Sequence, residues 1–324
     1  MRFLLLVALM LVALPAQAER AKERCGWPAY KEPCRVAGGI YRALAPKGPG
    51  PHKTVLYLYG STGHSKEITD ASFFQQIVDR FGYALVVPAA LDINYRGGTT
   101  GSGWTLRNGV QKTRNEIKFL KTVMADATTR FGLDTDNVLI MGQSRGGFLI
   151  WEIACHNPEL GSAFAVHAGG YLGKLPDRCK QPVKFLQTHG VQDEVVRFDG
   201  MDDVSGRVDM RPIPDALKML ERTNGCHRGP LEPTGRLKSY LRYSWSGCKY
   251  GGALELLTHK GGHYYPRDWF KVAIDWFEDV NAGPNVLPLA DPSKRGKTIK
   301  FAKPKVNSGS TPKSNSRFKK VPNS

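Results

Sequence analysis

Several things are scarce in this chain of 324 residues. After the N-terminal apolar run, no stretch is long and apolar enough to span a bilayer, which takes about 20 apolar residues, so no membrane span is expected. There is no C-x-x-C pair, so the cysteines give no sign of a metal site, and none is expected. No internal repeat is visible, which argues against solenoids and propellers. Acidic residues are outnumbered, 29 Asp and Glu against 46 Lys and Arg, for a net charge of +17. From Lys294 onward there is no acid at all, against ten basic residues. The basic residues are not interleaved with a recognisable nucleic-acid-binding module, so specific nucleic-acid binding is not expected.

What is present begins with Met1-Arg2, an apolar run from Phe3 to Leu14, and Ala16-Gln17-Ala18. A positive start, about a dozen apolar residues and an Ala-x-Ala end predict a secretory signal peptide over 1–18, too short for an anchor. The protein is therefore expected to be exported, to the periplasm or the extracellular medium. Six cysteines follow: Cys25, Cys34, Cys155, Cys179, Cys226 and Cys248. An even number in an exported chain suggests disulfides, and six allow 15 connectivities. Proximity along the chain favours Cys25–Cys34, Cys155–Cys179 and Cys226–Cys248. Residues 19–34, polar with two cysteines and Trp27, read as a segment stapled to a domain over 35–285. Residues 286–324, basic and rich in Ser, Asn, Pro and Gly, read as a disordered tail that could meet an anionic surface or polyanion.

Between these ends, apolar strands alternate with helical patterns. Arg35 to Leu44 reads as an edge strand, and Thr54 to Tyr59 and Tyr83 to Pro88 as buried strands. Phe73 to Phe81 has helical spacing. Ala89 to Asn108 reads as one long loop carrying Tyr95 and Trp104. Thr113 to Phe131 has Ile117, Leu120, Met124 and Ala127 at helical steps. Strands follow at Val138 to Gly142, Ala163 to Val166, Val183 to Thr188, Ser239 to Trp245 and Ala253 to Thr258. Further helices are read after Gly147, over Ala216 to Arg222, and from Trp269 to Val280. This alternation predicts an α/β class: a doubly wound, mostly parallel sheet with helices on both faces and sites at the strands' carboxyl ends.

The central motif is Gly142-Gln143-Ser144-Arg145-Gly146. A buried strand precedes it and a helix follows, the setting of a G-x-S-x-G nucleophile elbow. Glycines let strand and helix close around a strained serine, and the helix N-terminus favours developing negative charge. A serine hydroxyl needs an imidazole to take its proton, and the imidazole needs a carboxylate to fix its tautomer. Asp193, past a strand end beside Gly190, is the expected acid, with Glu194 and Asp199 as alternatives. His263, in a Gly-Gly-His loop before the last helix, is the expected base. His259 is its main rival; His189, His167 and His64 also compete. The order Ser144, Asp193, His263 is that of α/β-hydrolases. Backbone N–H groups of Ser61 and Arg145 are the expected oxyanion donors. Trp104, Tyr264 and Tyr265 are candidate walls of a substrate pocket.

Together, Tyr59-Gly60-Ser61-Thr62-Gly63, Gly142-Gln143-Ser144-Arg145-Gly146-Gly147, His189-Gly190-Val191-Gln192-Asp193-Glu194, Asn224-Gly225-Cys226 with Gly247-Cys248, and Gly261-Gly262-His263-Tyr264-Tyr265-Pro266 carry a resemblance. The span from about Arg35 to Val280 resembles the secreted α/β-hydrolase esterases that include polyhydroxybutyrate depolymerases, feruloyl esterases and acetylxylan esterases. The resemblance implies an α/β-hydrolase fold and hydrolysis of carboxylic esters, small or oligomeric, through an acyl-enzyme, with no cofactor. Two positions depart from the family. Tyr59 stands where a histidine is usual before the oxyanion glycine, and Arg145 replaces a small residue after the nucleophile, where its side chain could narrow the site or bind an anionic substrate. Two other functions fit less of the sequence: a serine peptidase on the same fold, and a catalytically silent protein holding an anionic envelope glycan.

Overall fold

The computed structural model describes residues 25–26, 32–94, 100–106, 114–202 and 209–282. The chain divides into two units, Met1–Asn285 and Val286–Ser324, and every described residue belongs to the first. The expected signal peptide (1–18), the basic tail (286–324), Trp27 and Tyr95 lie outside the described residues.

In chain order the elements are β1 (Cys34–Val36), β2 (Gly39–Leu44), β3 (His52–Leu58), α1 (Ser65–Asp70), α2 (Ser72–Asp79), β4 (Ala84–Pro88), β5 (Leu91–Asn94) and β6 (Thr100–Gly103). Next come α3 (Glu116–Phe131), β7 (Leu133–Gln143), α4 (Arg145–His156), β8 (Ala163–His167), β9 (Lys184–Gly190), β10 (Met201–Asp202) and β11 (Asp209–Met210). The chain ends in α5 (Ile213–Asn224), β12 (Gly235–Leu237), β13 (Tyr240–Ser244), β14 (Ala253–His259) and α6 (Trp269–Asn281).

Ten strands form one sheet in the order β1-β2-β4-β3-β7-β8-β9-β14-β13-β12. The six central strands, β4 to β14 in that order, run parallel, and antiparallel pairs close both sides. Their residues are buried almost without interruption over the central stretch of each strand, as strands covered on both faces require. Two adjacent residues of β9 reveal the two faces. Gln187 accepts a hydrogen bond from the indole of Trp151 in α4, while Thr188 accepts one from the indole of Trp269 in α6. Successive strand side chains point to opposite faces, so α4 and α6 cover opposite sides of the sheet.

The chain moves from β3 to β4 in one direction along the sheet, and from β7 through β8 and β9 to β14 in the other. The loops after β3 and β7 therefore diverge, leaving a crevice at the carboxyl ends of these two neighbours, where open α/β sheets bind ligands.

Three expectations needed revision. Arg35 to Leu44 is a hairpin of β1 and β2 rather than one strand, because Gly38 takes a left-handed φ of 94° at the reversal. The stretch expected as a loop from Ala89 to Asn108 contains the antiparallel hairpin of β5 and β6. Helix α1, polar apart from Ile68, has too little apolar periodicity to be read beforehand. The short strands β10, β11 and β12, of two or three residues each, were not expected; at the remaining helices and strands the expected stretches overlap the observed ones, with shifted ends.

Disulfides join Cys25–Cys34, Cys155–Cys179 and Cys226–Cys248. The second ties the end of α4 to the segment entering β9 across a sequence separation of 24. Closing a loop of that size removes conformational freedom from the unfolded chain worth about 3 kcal/mol. Replacing Cys155 and Cys179 together by alanine should lower the unfolding free energy by about that amount in urea titrations, with the circular dichroism of the folded protein unchanged.

Candidate active site

The nucleophile elbow is built by close approach. Ser144 caps α4 at the end of β7 with φ 53° and ψ −123°, a conformation that costs a side-chain-bearing residue about 1–3 kcal/mol. Its N–H donates to the carbonyl of His167 at 3.0 Å, and its carbonyl accepts the first helical bond, from Phe148, at 2.9 Å. A Cβ on Gly142 or on Gly146 would come within 2.1 or 2.0 Å of the Leu58 carbonyl oxygen. Only glycine fits at both places, which explains the spacing of the motif. Across the crevice, a Cβ on Gly60 would stand 3.2 Å from the Ser144 Cβ. The loop after β3 thus lies directly beside the nucleophile.

Asp193 and His263 meet as expected. Strands β9 and β14 pair in parallel with Gly190 opposite His259, so the loops leaving them emerge together. The loops are tied by Val191 N–H to His259 carbonyl (2.9 Å) and Gln192 N–H to Gly261 carbonyl (3.1 Å). His263 Nδ1 donates to Asp193 Oδ2 at 2.9 Å. The other oxygen, Oδ1, accepts from the backbone of Val195 and Val196 at 2.9 and 2.8 Å. Burial works to raise the Asp193 pKa, but the bonds from His263 and the Val196 N–H outweigh it and hold the carboxyl below its ordinary value. With Nδ1–H committed to a carboxylate, His263 presents Nε2 as a proton acceptor. Glu194 and Asp199 take no such place: Asp199 pairs with Arg197 at the surface.

Gln143 adds an anchor that had not been singled out. Its side-chain amide donates to the His263 carbonyl at 2.9 Å, fastening the histidine loop to the residue before the nucleophile. The Ser144 hydroxyl itself has no hydrogen-bond partner among the described residues, so the serine–histidine contact is open in this conformation. Such contacts commonly tighten only when substrate binds.

The rival histidines are occupied. His189 Nε2 donates to the Val196 carbonyl at 2.8 Å, leaving Nδ1 to accept from Gln187 at 3.1 Å. His259 Nδ1 accepts from the Gly261 N–H at 3.1 Å, so its Nε2 carries the proton and donates to His167 Nε2 at 3.1 Å. His167 then holds its proton on Nδ1, a buried atom without a partner among the described residues. Burial lowers the pKa of all three rings, that of His167 well below the ordinary 6.5.

Of the expected oxyanion donors, Ser61 follows Gly60, the residue that closely approaches Ser144, and Arg145 opens α4. The Arg145 side chain turns aside, its Nε donating to the Trp104 carbonyl at 2.8 Å. Trp104, expected as a pocket wall, is instead completely buried, because its indole N–H donates to the Tyr59 carbonyl at 2.8 Å and its ring packs on Tyr59. Tyr265 is half-buried, stacked on Trp269 and edge-on to Phe270, so it too is packing first. Tyr264 is 86% exposed beside His263, the one candidate of the three that faces solvent. Among the described residues, no group of three or more His, Cys, Asp or Glu could hold a metal, and no helix is long and apolar enough to cross a membrane.

The buried imidazoles give this site a pH signature. Neutral in the fold and protonated near pH 6.5 once unfolded, they contribute stability that is complete above that value and lost as pH falls below it. Urea titrations should show unfolding free energy dropping from pH 7 to 5, each ring contributing a slope of at most about 1.4 kcal/mol per pH unit. The slope should be shallower in His167→Gln.

No family model matches the chain. It is 25% identical over 164 residues to feruloyl esterase D of Neurospora crassa, a match covering 50% of each chain. Against feruloyl esterase C of Emericella nidulans it is 23% identical over 163 residues, covering 50% of this chain and 53% of that one. The chain thus spans about half the length of these curated relatives. Among solved structures, an acetyl xylan esterase from Aspergillus awamori superposes with a TM-score of 0.54 at 13% identity, covering 76% of this chain and 98% of that one. By its architecture the chain has the α/β-hydrolase fold, and the two curated relatives named above are feruloyl esterases.

Proposed function

We propose that the protein is a serine esterase that cleaves carboxylic esters through an acyl-enzyme. The observation that carries this reading is the 2.9 Å bond from His263 to a doubly anchored Asp193, in the loop that Gln143 fastens beside Ser144. Ser144 Oγ attacks the ester carbonyl while His263 Nε2 takes its proton, and the carbonyl π electrons move onto oxygen. The N–H groups of Ser61 and Arg145 receive that negative charge, each such donor contributing about 3 kcal/mol to the transition state. Collapse of the intermediate breaks the C–O bond, and His263 protonates the departing alcohol. Water, deprotonated by the same imidazole, then attacks the acyl-enzyme and releases the acid and free Ser144. Asp193 keeps the imidazole in the required tautomer and stabilises its charged form.

The named activities of the relatives make feruloyl and acetyl esters the first substrates to test, with hydroxybutyrate oligomers beside them. An exported location is supported by the signal-like N-terminus and by three disulfides, which persist in oxidising compartments. The basic tail is a candidate contact for an anionic surface.

The test is hydrolysis of short-chain p-nitrophenyl esters by the mature protein. Activity should vanish in Ser144→Ala. In Asp193→Asn, kcat should fall by roughly 10⁴, the loss seen when a triad aspartate is replaced by its amide. A folded wild-type protein inert toward every chain from acetyl to octanoyl would refute the esterase reading and favour a binding role.

A further inference from the structure

We propose that Trp104 and Arg145 are positioning residues, forming a strut that holds the oxyanion loop in register with the nucleophile; this inference rests on the esterase reading above. The loop Tyr59-Gly60-Ser61 leaves the sheet as irregular backbone, and its donor must be held at hydrogen-bond distance, about 3 Å, from the developing oxyanion. Something has to hold it there.

The structure supplies a chain of bonds. From the first turn of α4, immediately after Ser144, the Arg145 Nε donates to the Trp104 carbonyl at 2.8 Å. The indole of the same tryptophan donates to the Tyr59 carbonyl at 2.8 Å, one residue before Gly60. Nucleophile helix and oxyanion loop, which share no sequence neighbourhood, are thus joined through one residue. The Tyr59 ring lies 5.4 Å from the Trp104 ring, centroid to centroid, and its hydroxyl accepts from the Ala90 N–H at 2.7 Å. Further along the loop, Thr62 N–H donates to the Ser102 carbonyl at 3.0 Å and the Ser102 hydroxyl donates to the Gly63 carbonyl.

The strut is itself anchored. Thr105 N–H donates to Glu116 Oε1 at 2.9 Å, and Glu116 Oε2 is gripped by Arg114 Nε and Nη2 at 3.0 and 2.7 Å. Arg114 Nη2 also donates to the Ala89 carbonyl at 3.1 Å. Ala89 and Thr105 are therefore both tied to one buried ion pair at the start of α3, and beside Thr105 the Trp104 indole reaches the oxyanion loop. Tyr59 and Arg145, the two departures from the resembling family, are the residues at the two ends of this strut. Their side chains serve the site's geometry rather than the substrate.

The experiment measures p-nitrophenyl acetate hydrolysis and trifluoromethyl ketone inhibition for the wild type, Arg145→Ala, Arg145→Lys, Trp104→Phe and the double variant Arg145→Ala/Trp104→Phe. The ketone binds as a tetrahedral adduct whose oxyanion needs the same donors, so its affinity reports on the loop. Losses in kcat of about 10- to 100-fold are expected for Arg145→Ala and for Trp104→Phe, short of the full loss of a donor, with KM within about twofold. Ketone affinity should weaken by the same factor as kcat, and Arg145→Lys, which can still donate to the carbonyl, should recover most of the loss. Because the two bonds act in series, the double variant should be no slower than the slower single. Unchanged kcat and ketone affinity in Arg145→Ala, or losses that multiply in the double variant, would overturn the strut. Hydrogen exchange over residues 59–63 reads it without activity: exchange should quicken in Arg145→Ala and Trp104→Phe while α3 stays protected, and unchanged exchange would also overturn it. An inactive wild type with quickened exchange in the variants would instead sink the esterase reading and leave the strut standing.

Discussion

A single carbonyl oxygen governs the site. The Leu58 oxygen, at the end of β3, lies so close to both Gly142 and Gly146 that neither could carry a methyl group. This contact draws the nucleophile turn onto the neighbouring strand and places the loop after β3 against Ser144. The strained backbone at Ser144 is sustained because strand β7 and helix α4, both buried, leave it no alternative. The divergence of the chain at β3 and β7 then keeps the crevice open above.

The rest of the chemistry depends on where protons are fixed. Four histidines lie close together at the carboxyl end of the sheet, and hydrogen bonding assigns each a role. His189 is satisfied by Gln187 and a carbonyl, and His259 and His167 form a neutral pair. His263 alone combines a carboxylate on Nδ1 with partial exposure to solvent. Burial keeps the other three uncharged.

Much of this was legible beforehand, for identifiable reasons. The turn at Ser144 is flanked by two strong apolar patterns, so its strand–turn–helix setting shows in the sequence. His263 was preferred to His259 for its glycine-bearing loop; in the structure the His263 ring meets Asp193, while the His259 ring is engaged by Gly261 and His167. Trp104 misled because an aromatic in a glycine-rich stretch looks the same whether it lines a pocket or plugs a wall. Its burial depends on the Tyr59 carbonyl, 45 positions away in the chain. Strands β5 and β6 were illegible because four residues each, one strand mostly glycine and small polar, give too little alternation. Gln143 lay inside the motif, but nothing in its neighbours tells that its amide would reach a carbonyl 120 positions on.

The sheet's two margins bear on how the protein behaves in company. Each outermost strand, β1 and β12, is only three residues long, and each has an arginine at its centre, Arg35 and Arg236. Beyond them a stretch of free backbone this short offers an incoming strand little to grip, and the charge discourages apolar stacking. Cys34 joins the first margin by a disulfide to Cys25. A ten-stranded sheet is a ready template for aggregation if its margins are long and bare. Here it is blunted at both ends, each by a three-residue strand with an arginine at its centre.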